Sequence, residues 1–507
     1  MNTNNNPFDV QEKTISELQE ALQSGKLTSH QLTEIYIQRI DEVNLRGPAI
    51  KAVLEINPAA LTITAQLDKE RRTKGSRSAL HGIPILIKDN IATADHMQTT
   101  AGSLALMGSR PPRDAFVIQK LREAGAIILG KTNLSEWANF RSDYACSGWS
   151  GRGGQSLNPY VLNRSPSGSS SGSATAVAAN LAAATLGTET NGSIVSPASA
   201  NGVVGIKPTV GLTSRSGVIP ISHSQDTVGP ICRTVADAAI LLGTLVGIDP
   251  RDLATQASSG KFHTDYTRFL DPHGLRGARI GIPRQVYFGY SPASDAIAER
   301  AIQQLETLGA VIVDPADIPT AEQIAATDTS LTVLLYEFKA ALNAYLAGLV
   351  STPVHTLADI IAFNNQHADR ELPFFGQDLL LRAQATSDLN DPEYINALAE
   401  NHRLSQQAGI DAVMDEYNLD ALVAPTDSPA VTIDLINGDH FLGSCSQPSA
   451  LAGYPIVTVP AGYAFGLPVG LSFFGRAFSE PTLIKLAYAF EQATQVRYPP
   501  RYFASIQ

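Results

Sequence analysis

Residues 116–133 read FVIQKLREAGAIILGKTN. Apolar residues recur at helical spacing up to Glu123, Gly125 breaks the run, and Ala126–Leu129 is apolar at every position. A strand with no polar side needs cover on both faces, so this stretch predicts an α/β layer fold. The same residues formally carry a phosphate-loop motif, Gly125-Ala-Ile-Ile-Leu-Gly130-Lys131-Thr132. A real phosphate loop follows its strand and turns its N–H groups on the ligand. Here the four variable residues are the strand itself, and nothing is left to wrap a phosphate.

Reading outward, HGIPILIKDNI (81–91) predicts a short strand, Ile83–Ile87, that ends on Lys88. Upstream, the apolar repeats between Thr14 and Asn44 predict two helices, capped by Ser16 with Gln19 and by Thr28 with Gln31. The alanine-rich run Ser173–Leu186 predicts a helix of small side chains. Residues 202–214 and 216–234 read as strands and turns, followed by a helix. Arg276–Arg284, 419–426 and 454–462 read as strands, and 480–496 as a closing helix. Residues from about 321 to 417 are mostly helical with a polar middle, a cap or insertion on one domain spanning 1–507.

The chain has 507 residues, 44% hydrophobic, enough for a large core, and only 17% charged with a net charge of −11. That balance argues against nucleic acid or an anionic membrane as partner. Cys146, Cys232 and Cys445 form no CxxC pair, so they suit neither a disulfide framework nor a thiolate zinc site. MNTNNNPFDVQEK lacks the basic and apolar regions of a secretory signal, and no apolar run reaches the length of a membrane helix. The expectation is a cytoplasmic protein with buried cysteines.

Chemistry concentrates between residues 165 and 193. SPSGSSSGSA (165–174) contains a formal GxSxG that would make Ser170 a nucleophile at a strand-to-helix elbow. The preceding NPYVLNRSPS is poor strand text, and His355, His367, His402 and His440 lie in polar surroundings without a site signal. Downstream, Thr190-Asn191-Gly192-Ser193 has another character. Asn and Gly tolerate φ > 0, so successive N–H groups can converge on one oxygen just before a serine. Serine needs a base. Lys88, at the end of an apolar strand, is a candidate because burial lowers an amine's pKa.

Together HGIPILIKDNI, AGAIILGKTNLSEWANF, SPSGSSSGSA, GTETNGSIVSPASANGVVGIKPT and SQDTVGP resemble the amidase signature family over about residues 75–240. The resemblance resumes at AGYPIVTVPAGYAFGLPVGLSFFG (452–475). It implies a large mixed, twisted sheet covered by helices on both faces and a Ser-Ser-Lys triad. Ser193 would be the nucleophile, Ser169 a bridging serine held by a cis peptide, and Lys88 the base. The N–H groups of Thr190, Asn191 and Gly192 would form the oxyanion hole, with no metal or organic cofactor. Within the family, KTNLSEWANF, SGWSGRGGQSLNPY and SRSGVIPISHSQDT are similar to the bacterial peptide amidase branch. That implies a small-molecule or peptide amide as substrate and hydrolysis of a peptide's C-terminal carboxamide. The alternatives are a broad amidase of small amides and a non-catalytic amide-binding subunit. Trp137 and Asn139 are candidates for lining the substrate cleft. Three departures stand out: Asn191 in place of a glycine, Glu189 in place of an aspartate, and Val195 where an arginine is usual.

Overall fold

The computed structural model describes residues 8–506; part of the N-terminal stretch read for a signal, residues 1–7, lies outside them. Its centre is an eleven-stranded mixed sheet. In chain order the strands are β1 (Val53–Ile56), β2 (Pro84–Lys88), β3 (Ile127–Thr132), β4 (Ala184–Glu189), β5 (Val204–Lys207), β6 (Thr227–Cys232), β7 (Arg279–Gly281), β8 (Val311–Val313), β9 (Ala421–Pro425), β10 (Ile456–Ala464) and β11 (Leu467–Phe474). In space they run β1-β3-β2-β4-β6-β5-β10-β11-β9-β7-β8. β3, β2 and β4 are mutually parallel, as are β9, β7 and β8, and antiparallel pairs join the two blocks.

Helices flank the sheet, and the period of two along each strand feeds both faces. On β6, Val228 and Cys232 enter one apolar cluster and Ile231 another. On β9, Ala421 and Val423 face the first layer, while Leu422 and Ala424 face a third cluster. Every residue of β2, β3, β4 and β6 is buried, which is why the runs Pro84–Ile87 and Ile127–Leu129 can be apolar on both faces. Residues 127–132 are indeed strand. Lys131, the supposed phosphate lysine, is buried with Nζ on Ile91 O at 2.6 Å and Thr99 Oγ1 at 2.9 Å.

Two local expectations are corrected. The first helix is capped by Thr14 with Glu17, not by Ser16 with Gln19; Thr14 leaves the helical region at ψ 160°, as an N-cap must. The cap at Thr28 with Gln31 forms as expected. The alanine-rich helix spans only Ser171–Ala178, and Ala184–Leu186 belong to β4. Asn180, with φ 58°, turns the chain in the left-handed region that ends helices. Alanine fits tight helix packing and a crowded central strand alike, so composition does not mark the boundary.

The stretch 321–417 is mostly helical. It packs Phe338, Leu342, Leu357 and Leu380 against Leu134, Trp137 and Phe140. A buried ionic knot pins it further. Arg141 Nη1 donates to Glu136 Oε1 at 2.7 Å and to Glu371 O at 2.6 Å, and its guanidinium lies over the rings of Phe375 and Trp149. Glu371 Oε1 accepts the Leu104 N–H at 2.6 Å, tying the helical stretch to the sheet side. Burial, then the neighbouring Glu136 carboxylate, pushes Glu371 up to about 8.

A carboxyl whose pKa is raised by folding stabilises below its unfolded value and loses that contribution as pH rises through the folded one. Glu371→Gln keeps the shape without the titration. Chemical denaturation at pH 5 and pH 9 is expected to show wild type losing more stability across that range than the variant, by upwards of about 1 kcal/mol. Equal losses would contradict the assignment.

Candidate active site

Three segments converge at the C-terminal ends of β2 and β4. Parallel pairing of Ile87 with Leu186 puts Lys88 beside the residues that follow Leu186. Lys88 is fully buried, and its Nζ lies 2.7 Å from Ser169 Oγ, 2.9 Å from Thr188 Oγ1 and 3.2 Å from Thr188 O. Asn90 Nδ2 also donates to Thr188 Oγ1, at 3.0 Å. Among the described residues no carboxylate touches the amine. Burial pulls Lys88 down to about 7, against the weaker opposing pull of Asp226 and Glu189.

Ser169 follows a cis peptide from Gly168. Its carbonyl accepts the Ser135 N–H at 3.1 Å. The next residue joins the two serine segments: Ser170 N–H donates to Ser193 O at 3.0 Å. Ser170 Oγ donates to Thr188 O at 3.0 Å, and Ser171 Oγ to Ser167 O at 2.6 Å. The extra hydroxyls of the serine-rich loop therefore tie it to β4 and to itself, and Ser170 faces no histidine. Gly168 has no room for a side chain, because an added Cβ would meet Ser135 Oγ at 2.3 Å.

The turn before Ser193 is anchored by Glu189. Its Oε1 accepts the Gly192 N–H at 2.8 Å, and its Oε2 those of Ile194 and Val195 at 2.7 and 3.0 Å. One carboxylate thus caps the helix Val195–Ala200 that starts just past the serine. Val195 lies in the apolar cluster with Met414 and Phe474, and Glu189 holds the loop without an arginine there. Burial raises the Glu189 pKa, with Lys207 and the three N–H groups opposing.

This geometry corrects the sequence expectation for Gly192. Its φ of 79° is the left-handed turn anticipated, but its N–H is spent on Glu189. Among the described residues, no backbone acceptor meets the N–H groups of Thr190 and Asn191. Thr190 Oγ1 donates to Asp226 Oδ1 at 2.6 Å, and Asn191 Oδ1 accepts from Ser446 Oγ at 2.7 Å.

Gly168, Asn191 and Gly192 line a cavity of about 390 Å³ together with Asn139, Ser196 and Asp427. Asn139 is thus a cavity-lining residue. Trp137 is not: it is 1% exposed and packs in the core under the helical stretch. Positive φ at Trp137, Ala138 and Asn139 puts a left-handed turn between the core and cavity positions. Thr188 and Asp427 escape the sequence reading. Thr188 is legible as the neighbour of Lys88 across a parallel pair, but Asp427 is some 230 residues from the signature loops and nothing local marks it. All three cysteines are buried and unpaired.

The amidase family profile matches residues 31–484. The chain belongs to the amidase family. It is an amide-hydrolysing enzyme, with a solved structural relative in the native peptide amidase of Stenotrophomonas maltophilia. The two are 51% identical over 98% of this chain and 100% of that one, with a TM-score of 0.93. A peptide amidase solved with the competitive inhibitor chymostatin is equally similar, at 51% identity and a TM-score of 0.94 over the same shares. Among curated relatives, a probable amidase of Arabidopsis thaliana is 47% identical over 98% of this chain and 93% of its own length. A glutamyl-tRNA(Gln) amidotransferase subunit of Chloroflexus aurantiacus is 37% identical over 95% of this chain and 96% of its own length.

Glu189→Gln leaves one acceptor oxygen for three N–H groups on two sides. A stability loss of about 1–3 kcal/mol is expected, the usual result of stranding a buried donor. Thermal unfolding checks it, and an unchanged midpoint would mean that the turn holds itself.

Proposed function

We propose that this enzyme works through Lys88, Ser169 and Ser193, and that its substrates are peptides ending in a carboxamide. The observation that carries the reading is the 2.7 Å contact between a buried, carboxylate-free Lys88 amine and Ser169 Oγ. A neutral amine has two N–H donors and one lone pair. Thr188 O and Oγ1 take the two N–H groups, which leaves the lone pair for the Ser169 hydroxyl proton. An amine held down to about 7 by burial is a base at working pH.

In this reading Ser193 Oγ attacks the amide carbon while its proton passes to Ser169 and the Ser169 proton passes to Lys88. The N–H groups of Thr190 and Asn191 hold the developing oxyanion. Lys88, through Ser169, returns a proton to the leaving nitrogen, and ammonia departs. Water then attacks the acyl-Ser193 ester by the same relay, giving the peptide acid and the free enzyme. The oxyanion donors supply several kcal/mol of the barrier lowering, as such groups do elsewhere.

Two features favour a peptide over a small amide. The likeness to peptide amidases covers nearly the whole of both chains. In addition, the cavity shares Pro429–Val431, Asp439 and His440 with a neighbouring depression of about 630 Å³. A chain of several residues fills that combined space better than a single aromatic amide does.

The test is ammonia release from a short peptide amide and from benzamide. The peptide amide is expected to react much faster, and Ser193→Ala to abolish release, by about 10⁴-fold or more. Preference for benzamide would overturn the substrate assignment, and activity surviving in Ser193→Ala would overturn the nucleophile.

A further inference from the structure

Asp427 is a cavity acid that the hydrolysis does not use. It follows β9, and the residue before it is held where Thr426 N–H donates to Gly470 O at 2.9 Å. Its side chain reaches the helix that begins beside Ser193: Ser199 Oγ donates to Asp427 Oδ1 at 2.9 Å, and the Ser199 oxygen in turn accepts the Gly470 N–H at 2.9 Å. Ser196, one turn earlier on that helix, lines the same cavity. Asp427 is 8% exposed and lines the cavity with Asn191 and Gly192.

Among the described residues the carboxyl makes no ion pair. Among the described residues no Lys or Arg lines the cavity. Its other acids are engaged elsewhere, Asp143 with Arg382 at 3.1 Å and Asp439 with the Ser147 N–H. Burial lifts Asp427 to about 7, with hydroxyl groups as its only compensation. A buried acid without a basic partner is costly unless a bound group donates to it. A peptide amide brings such donors, in its chain N–H groups and in the carboxamide itself. The product brings a carboxylate instead.

Accepting that peptide amides are the substrates, we propose that Asp427 sets the charge selectivity of the cavity: it accepts an N–H of the bound peptide amide and turns away anionic chain ends, the product acid first among them. Substrate and product differ by one group, a neutral donor in one and a negative charge in the other, so a single fixed carboxylate separates them. Hydrolysis itself then lowers affinity and clears the site.

The experiment compares two competitive inhibitors of equal length at pH 8.5, the peptide acid and the neutral peptidyl alcohol, on wild type and Asp427→Asn. Wild type is expected to bind the acid at least about tenfold more weakly than the alcohol. In Asp427→Asn the two should come within about threefold, and KM for the peptide amide should rise about tenfold with a smaller change in kcat. A purely structural Asp427 would change stability and kcat but leave the acid-to-alcohol ratio where it was, and that result overturns the proposal. If Asp427→Asn does not fold, a wild-type ratio near one is sufficient to overturn it. Failure of wild type to hydrolyse any peptide amide is a separate outcome, which strikes the substrate assignment instead.

Discussion

Burying a lysine amine without a carboxylate beside it is the constraint around which this structure is arranged. An isolated ammonium in such a place is costly, so burial favours the neutral amine and pulls its pKa down to about 7. The surroundings of Lys88 are built for the neutral form. Two acceptor atoms of one residue, Thr188, meet its N–H groups, and a hydroxyl meets the remaining position. Three parallel central strands with every residue buried keep water away. The apolar runs of β2 and β3 and the chemistry of the lysine are one design.

The serine loops follow from the same requirement. In the proposed mechanism the base is locked in the sheet and cannot move to its target, so the target must be brought to it. The Ser170–Ser193 backbone contact fixes one serine segment against the other, and Glu189 fixes the turn from beneath. Glu189 also shows how a departure from a family pattern is absorbed. Its longer side chain reaches three N–H groups, and the usual arginine position is free to become apolar Val195.

Much of this is legible in the sequence, and what is not has identifiable causes. The meeting of the Lys88, Ser169 and Ser193 segments is legible because each sits in a short motif whose backbone behaviour is local. The strand at 127–132 can be told from a phosphate loop because an unbroken apolar run cannot be a turn. The boundary inside the alanine-rich run is hidden because alanine serves helix and central strand equally. Trp137 is misplaced by the sequence because three successive residues with positive φ put a left-handed turn there, and no propensity announces that. Gly192 reads as having a free N–H because its conformation can be inferred but its partner, a side chain three residues back, cannot. Asp427 is invisible for the plainest reason: its neighbours in space are distant in the chain.

The central claim is that Lys88 is the neutral base for Ser193, and the rate of covalent labelling by a fluorophosphonate across pH 5–9 tests it most directly. The account predicts a single rise as pH passes about 7, label found on Ser193, and loss of that rise in Lys88→Met with the residual rate flat. A wild-type rate independent of pH, or the same rising profile in folded Lys88→Met, would contradict it.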